Sequence, residues 1–93
     1  MKELEITMVK DLINVYQSYF EKGLTDEVKK NAKEIESKYL NSSPIVRSDL
    51  TNAKGKLTYF YADIPPGPIS KIEAKKIVLN LEKLKHKLEN DNS

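Results

Sequence analysis

Few residues in this chain are equipped for covalent or acid–base chemistry. The 93-residue sequence holds one histidine, no cysteine and no tryptophan. His86 lies between Lys85 and Lys87 with no cysteine or second histidine to complete a metal shell, so it reads as a solvated helix residue rather than a ligand. Nucleophilic catalysis needs a hydroxyl held against an oriented base. Here the serines, Ser43 and Ser70 among them, read as helix caps or surface residues, and nothing suggests a triad. Enzymes acting on phosphorylated or carboxylated metabolites use several arginines for bidentate anion binding, whereas Arg47 stands alone. A glycine-rich phosphate loop, and the strand that would precede one, are both missing from the pattern. The expectation is a protein without catalytic residues, metal, cofactor or small-molecule substrate.

Two groups of residues are better suited to binding. The first is the run Tyr59-Phe60-Tyr61, followed by Ile64-Pro65-Pro66-Gly67-Pro68. Only about a third of a helix's circumference faces a core, so three consecutive aromatics place at least one ring off the buried stripe. Tyrosine favours interfaces because it joins a large rigid area to a polar tip, and a ring beside a stiff proline hinge loses little entropy on binding. Tyr59, Tyr61, Pro65 and Pro66 are therefore candidate partner-binding residues, with burial of Phe60 and one tyrosine as the plainer alternative. The second group is Lys76, Lys83 and Lys87, which fall within about 40° of one another on a helix turning 100° per residue. They form a basic ridge, either an ordinary solvated face or an attraction toward an anionic membrane surface or acidic protein patch. The same helix lacks arginines for base edges and aromatics for stacking, so nucleic acid is not expected.

These residues are carried by four helical patterns, at roughly 3–22, 25–40, 44–62 and 70–89. In the first, Val9, Leu12, Ile13, Tyr16, Tyr19 and Phe20 recur at spacings of three and four. Gly23 supplies a left-handed stop, with Leu24 placed to fold back on the last turn. Thr25 is a candidate N-cap, and Asp26 and Glu27 suit the positive end of the helix dipole. Val28, Ala32, Ile35 and Tyr39 give the second helix a thin stripe, which predicts the most exposed helix of the set. Ser43 and Pro44 suit the cap and first position of a third helix, striped by Val46, Leu50, Ala53, Leu57 and Phe60. Gly55 lies inside it as either a close-contact point or a weak one, at about 1 kcal/mol relative to alanine. The prolines end that helix. Ser70-Lys71-Ile72-Glu73 then has the form of a capping box with Ile69 as its hydrophobic staple. Ala74, Ile77, Val78, Leu81, Leu84 and Leu88 continue at helical spacing. Four helices on short connections predict a single all-α domain, an antiparallel up-down four-helix bundle.

The charge balance, 16 basic against 14 acidic side chains, argues against a dedicated nucleic-acid binder, whose domain is usually strongly basic. The N-terminal residues lack the features of a secretion signal, and nowhere do about twenty apolar residues run together. The expected location is the cytoplasm.

The helix opened by Ser43-Pro44-Ile45-Val46, the Leu50-to-Leu57 stripe ending in an aromatic cluster, and a last helix opened by Ile69-Ser70 with acids and lysines together resemble the immunity proteins of pediocin-like bacteriocins, the enterocin A immunity family. The similarity spans about Val9 to Leu88. It implies a cytosolic four-helix bundle that protects a bacteriocin-producing Gram-positive cell. Such a protein acts without catalysis at the inner membrane face, on a bacteriocin-bound sugar permease. The resemblance points to the region from Tyr59 through Pro68 and the lysines beyond it. The stiff Pro65-Pro66-Gly67-Pro68 hinge and the short C-terminal tail depart from the family's pattern. A different expectation from the residues alone is a small regulatory or antitoxin-like protein that binds through its basic C-terminal helix.

Overall fold

The computed structural model describes residues 2–39 and 48–90. Within them the chain forms α1 (Lys2–Lys22), α2 (Asp26–Lys38), α3 (Ser48–Gly55), α4 (Thr58–Tyr61) and α5 (Lys71–Asn90), with no strand among the described residues. The cap at Ser43, the Pro44 start, the Val46 position and Arg47 lie outside them. The fold is an all-α, four-helix bundle whose third leg is divided into α3 and α4.

Local chemistry sets the ends of the first two helices. Gly23, at φ 82°, sends its N–H to the Tyr19 carbonyl at 2.8 Å and closes α1 in the left-handed conformation that costs a residue without Cβ least. Leu24 remains 40% exposed instead of folding back fully on the last turn. Thr25 caps α2, its hydroxyl accepting from the Val28 N–H at 3.1 Å. Its carbonyl accepts the first intrahelical bond, from Lys29.

The core is built largely along the expected stripes. Met8, Val9, Leu12, Val15, Tyr16 and Tyr19 of α1 and Ala74, Ile77, Val78, Leu81, Leu84 and Leu88 of α5 are all buried in one core. The α1–α5 contact is the most extensive in the molecule, and α1 also touches α2 and α3. Met8 and Val15 displace Ile13 and Phe20, which are only half-buried, because α1 is bordered by several neighbours and its buried face is wider than one narrow stripe. The pairing of α1 with α5 is antiparallel: Tyr19, near the end of α1, hydrogen-bonds to the carbonyl of Ile69, two residues before α5 begins. Tyr16 and Tyr19 both pack on Phe60, with ring centroids 5.4 and 4.9 Å away and interplanar angles of 67° and 60°. These are tilted, edge-directed arrangements that suit aromatic quadrupoles.

The third leg departs from the single helix expected over 44–62. Its stripe is correct, since Leu50, Ala53, Leu57 and Phe60 are all buried. Its hydrogen bonding changes at Lys56–Leu57: the N–H groups of Leu57, Tyr59 and Phe60 bond to the carbonyls of Lys54, Lys56 and Leu57, three residues back, before Ala62 returns to Thr58. This is a tightened turn in a chain that keeps helical dihedrals at Leu57 (φ −62°, ψ −36°). Two causes coincide. Gly55 weakens the helix at that point, and a Cβ built on it meets nothing within 4 Å, so no close contact demands the glycine. The leg also serves three neighbours, since α3 packs on α5 and α1 while α4 packs on α2. The turn between them redirects the leg toward α2.

Candidate functional site

The junction between α4 and α5 is held by side chains from elsewhere in the bundle. Phe60 is buried, with Tyr59 and Tyr61 half-buried on either side of it. The two tyrosines are not equivalent. Tyr61 packs against the core and donates its hydroxyl to the carboxylate of Glu36 on α2, a bond that holds its pKa above the usual phenol value. Tyr59 is half-buried as well but makes no side-chain hydrogen bond among the described residues.

After Ala62 the backbone enters the left-handed region at Asp63 (φ 54°), a conformation that a short polar side chain tolerates better than most. Ile64 through Gly67 then form a turn closed by the Gly67 N–H on the Ile64 carbonyl at 2.8 Å, with a cis bond between Pro65 and Pro66. Both prolines are exposed, and Ile64 is 43% exposed. Beyond the turn, Tyr19 fixes the Ile69 carbonyl at 2.6 Å. Ser70 then caps α5, its hydroxyl accepting from the Glu73 N–H at 3.1 Å, which is one half of the expected capping box. The hinge is thus a short rim of apolar residues with a fixed turn and a tethered exit.

Lys76, Lys83 and Lys87 are exposed on α5 and take part in no ion pair among the described residues. Lys75 is engaged differently, its amine 4.8 Å from the centre of the Phe20 ring. The expected site residues therefore occupy two places. Tyr59, Tyr61, Pro65 and Pro66 belong to the α4–α5 junction, and the lysines run down the outer face of α5, the last of them about 24 Å from its start at 1.5 Å per residue. Four large apolar residues are exposed, Leu24, Ile64, Ile72 and Leu79, Ile72 to 71%; the sequence pattern predicts that Leu24 folds back on α1, and it does not single out Leu79. A signal for two of them was present, because Ile72 and Leu79 fall off the buried stripe of α5 and are seven residues apart.

A second polar region lies between α1 and α2, where an open cleft of about 320 Å3 is bordered by Asp11, Asn14, Asn31, Glu34 and Lys38. Asp11 is already committed, accepting from the Tyr39 hydroxyl at 2.6 Å and from Lys38 Nζ at 3.1 Å. Burial and that carboxylate raise the Tyr39 pKa, while the Asp11 hydrogen bond raises that of Lys38. Lys54 closes the cluster from α3 by donating to the Tyr39 carbonyl at 2.6 Å. These bonds fasten the end of α2 to α1 and α3.

No helix among the described residues is long and apolar enough to cross a membrane. No family model, curated protein or solved structure matches the chain.

Proposed function

We propose that this chain is a non-catalytic binding protein that confers immunity to a pediocin-like bacteriocin in a Gram-positive producer. It works from the cytoplasm at the inner membrane face, on the bacteriocin-bound sugar permease. The observation that carries the binding role is the α4–α5 junction, where Ile64, Pro65 and Pro66 stand exposed beside the half-buried Tyr59. The Tyr19–Ile69 and Tyr61–Glu36 hydrogen bonds already hold this rim in place. A surface ordered before contact loses little conformational entropy on binding, and prolines next to an aromatic ring offer rigid apolar area. The immunity role is supported by the resemblance of the third and fourth helical segments to that family and by the four-helix architecture it implies.

The test is expression in a bacteriocin-sensitive strain challenged with a panel of pediocin-like peptides. Protection against at least one of them is expected. It should be lost in Tyr59→Ala and in Ile64→Ser while both variants keep the parent's melting temperature to within a few degrees. Unchanged sensitivity across the panel would remove the immunity role. Salt-dependent binding of the purified chain to generic DNA or RNA would instead favour the regulatory alternative.

A further inference from the structure

The exposed side of α5 combines features that its charge alone does not explain. Taking Ile72 as the reference line at 100° per residue, Leu79, Lys83, Lys76 and Lys87 all lie within about 60° of it, and Glu73, Glu82 and Glu89 lie about 80° or more away. Ile72 is 71% and Leu79 48% exposed. Scattered exposed aliphatics are ordinary on a protein surface. Here the two large ones share a line with three lysines that make no ion pair among the described residues. The face is thus an apolar pair flanked by free cations, with the carboxylates turned aside.

We infer that this face of α5 seats the protein directly on an anionic lipid bilayer. Ile72 and Leu79 enter the boundary between headgroups and acyl chains, and Lys76, Lys83 and Lys87 reach the lipid phosphates. Charge complementarity calls for an anionic surface, and the residue types choose among anionic surfaces. Protein interfaces are enriched in tyrosine, tryptophan and arginine and depleted in lysine; α5 contains none of the first three and is rich in the last. Lysine is a flexible point charge that suits a diffuse layer of phosphates, whereas a single carboxylate is better held by the planar fork of arginine. Its aliphatic stem lies along apolar surface while the amine stays at the headgroups. Neighbouring aliphatic and basic residues on one side of a helix are the composition by which helices lie in a membrane interface.

This inference stands apart from the immunity reading, because vesicles contain neither permease nor bacteriocin. The experiment is co-sedimentation of the full chain with phosphatidylcholine vesicles and with mixed phosphatidylcholine–phosphatidylglycerol vesicles, at low and at raised salt. Binding at least about tenfold tighter to the anionic vesicles is expected, weakening with salt as exposed charges are screened. Ile72→Ser with Leu79→Ser should lower that binding roughly tenfold, as expected for losing two half-inserted side chains. Lys76→Glu, Lys83→Glu and Lys87→Glu together should abolish it. Circular-dichroism melting confirms that each variant folds, since all five positions are exposed. Equal binding to both vesicle types, or none to either, overturns the inference. So does a serine double variant that binds like the parent, which would reduce the contact to counter-ion attraction. A concentration-dependent dimer in sedimentation velocity that disappears in Leu79→Ser would assign the face to a second copy of the chain, and would also overturn it.

Discussion

Four of the five tyrosines use their hydroxyls to join one part of the bundle to another. Tyr16 donates to the Ala53 carbonyl at 2.5 Å and Tyr19 to that of Ile69 at 2.6 Å, while Tyr39 reaches Asp11 and Tyr61 reaches Glu36. A buried phenol needs a partner, because an unsatisfied hydroxyl removed from water is costly, and among the described residues no buried side-chain nitrogen or oxygen lacks one. These placements make the fold sensitive to alkali. Burial raises the Tyr16 pKa, and the pKa values of Tyr39 and Tyr61 are raised as well. A phenol whose pKa is higher folded than unfolded holds its proton more tightly in the native state. Its contribution is fully present below the unfolded value near 10 and is lost as pH rises from there toward the folded value. The melting temperature should therefore fall steeply above about pH 10. Tyr16→Phe should cost about 0.5–1.5 kcal/mol at neutral pH through the lost hydrogen bond, and should flatten the alkaline decline. A variant that declines as steeply as the parent would remove Tyr16 as a source. That Tyr61 rather than Tyr59 is tied inward was not legible from sequence, where the two are equivalent neighbours of Phe60; the carboxylate that separates them comes from Glu36, 25 residues earlier.

At the scale of elements, most helix ends were legible because they are set by residues adjacent in sequence. Gly23, Thr25 and Ser70 each act within four residues, and each does so as its type implies. The division of α3 from α4 was less legible. The stripe Leu50, Ala53, Leu57, Phe60 continues across it without interruption, so periodicity alone describes one helix. Gly55 was the local clue, but whether a weak point in a helix yields depends on what the two halves pack against. Its position admits a direct test. Gly55 lacks a positive φ, and a Cβ there meets nothing within 4 Å. Gly55→Ala should stabilise the protein by about 0.4–1 kcal/mol, partly by restricting the unfolded chain, read as a higher urea midpoint. A lower midpoint would mean that the tightened turn needs the glycine's freedom.

At the scale of the whole molecule, the packing of α1 against α5 dominates, and the leg α3–α4 and helix α2 close around it. Leu81 is fully buried on α5, so Leu81→Ala should cost about 2–5 kcal/mol from lost burial and the cavity left behind. Chemical denaturation measures it, and a loss under 1 kcal/mol would show that the core collapses around the gap. Substitutions at the exposed Ile72 and Leu79, on the same helix, should be nearly neutral by the same measurement. The contrast between these positions summarises what sequence alone determined: the helical character of each segment, the stripes that form the core, the chemistry of the caps and the turn at Pro65–Pro66. Those properties follow from side-chain types within a few residues of one another. The tertiary structure decided what depends on residues distant in the chain: the partners of four of the tyrosines, the bend that lets one leg contact three neighbours, and the side of α5 left uncovered. Periodicity already set Ile72, Leu79 and the three lysines off the buried stripe of α5, but that no other helix covers them was decided by the tertiary arrangement, because exposure is set by what fails to pack against a residue.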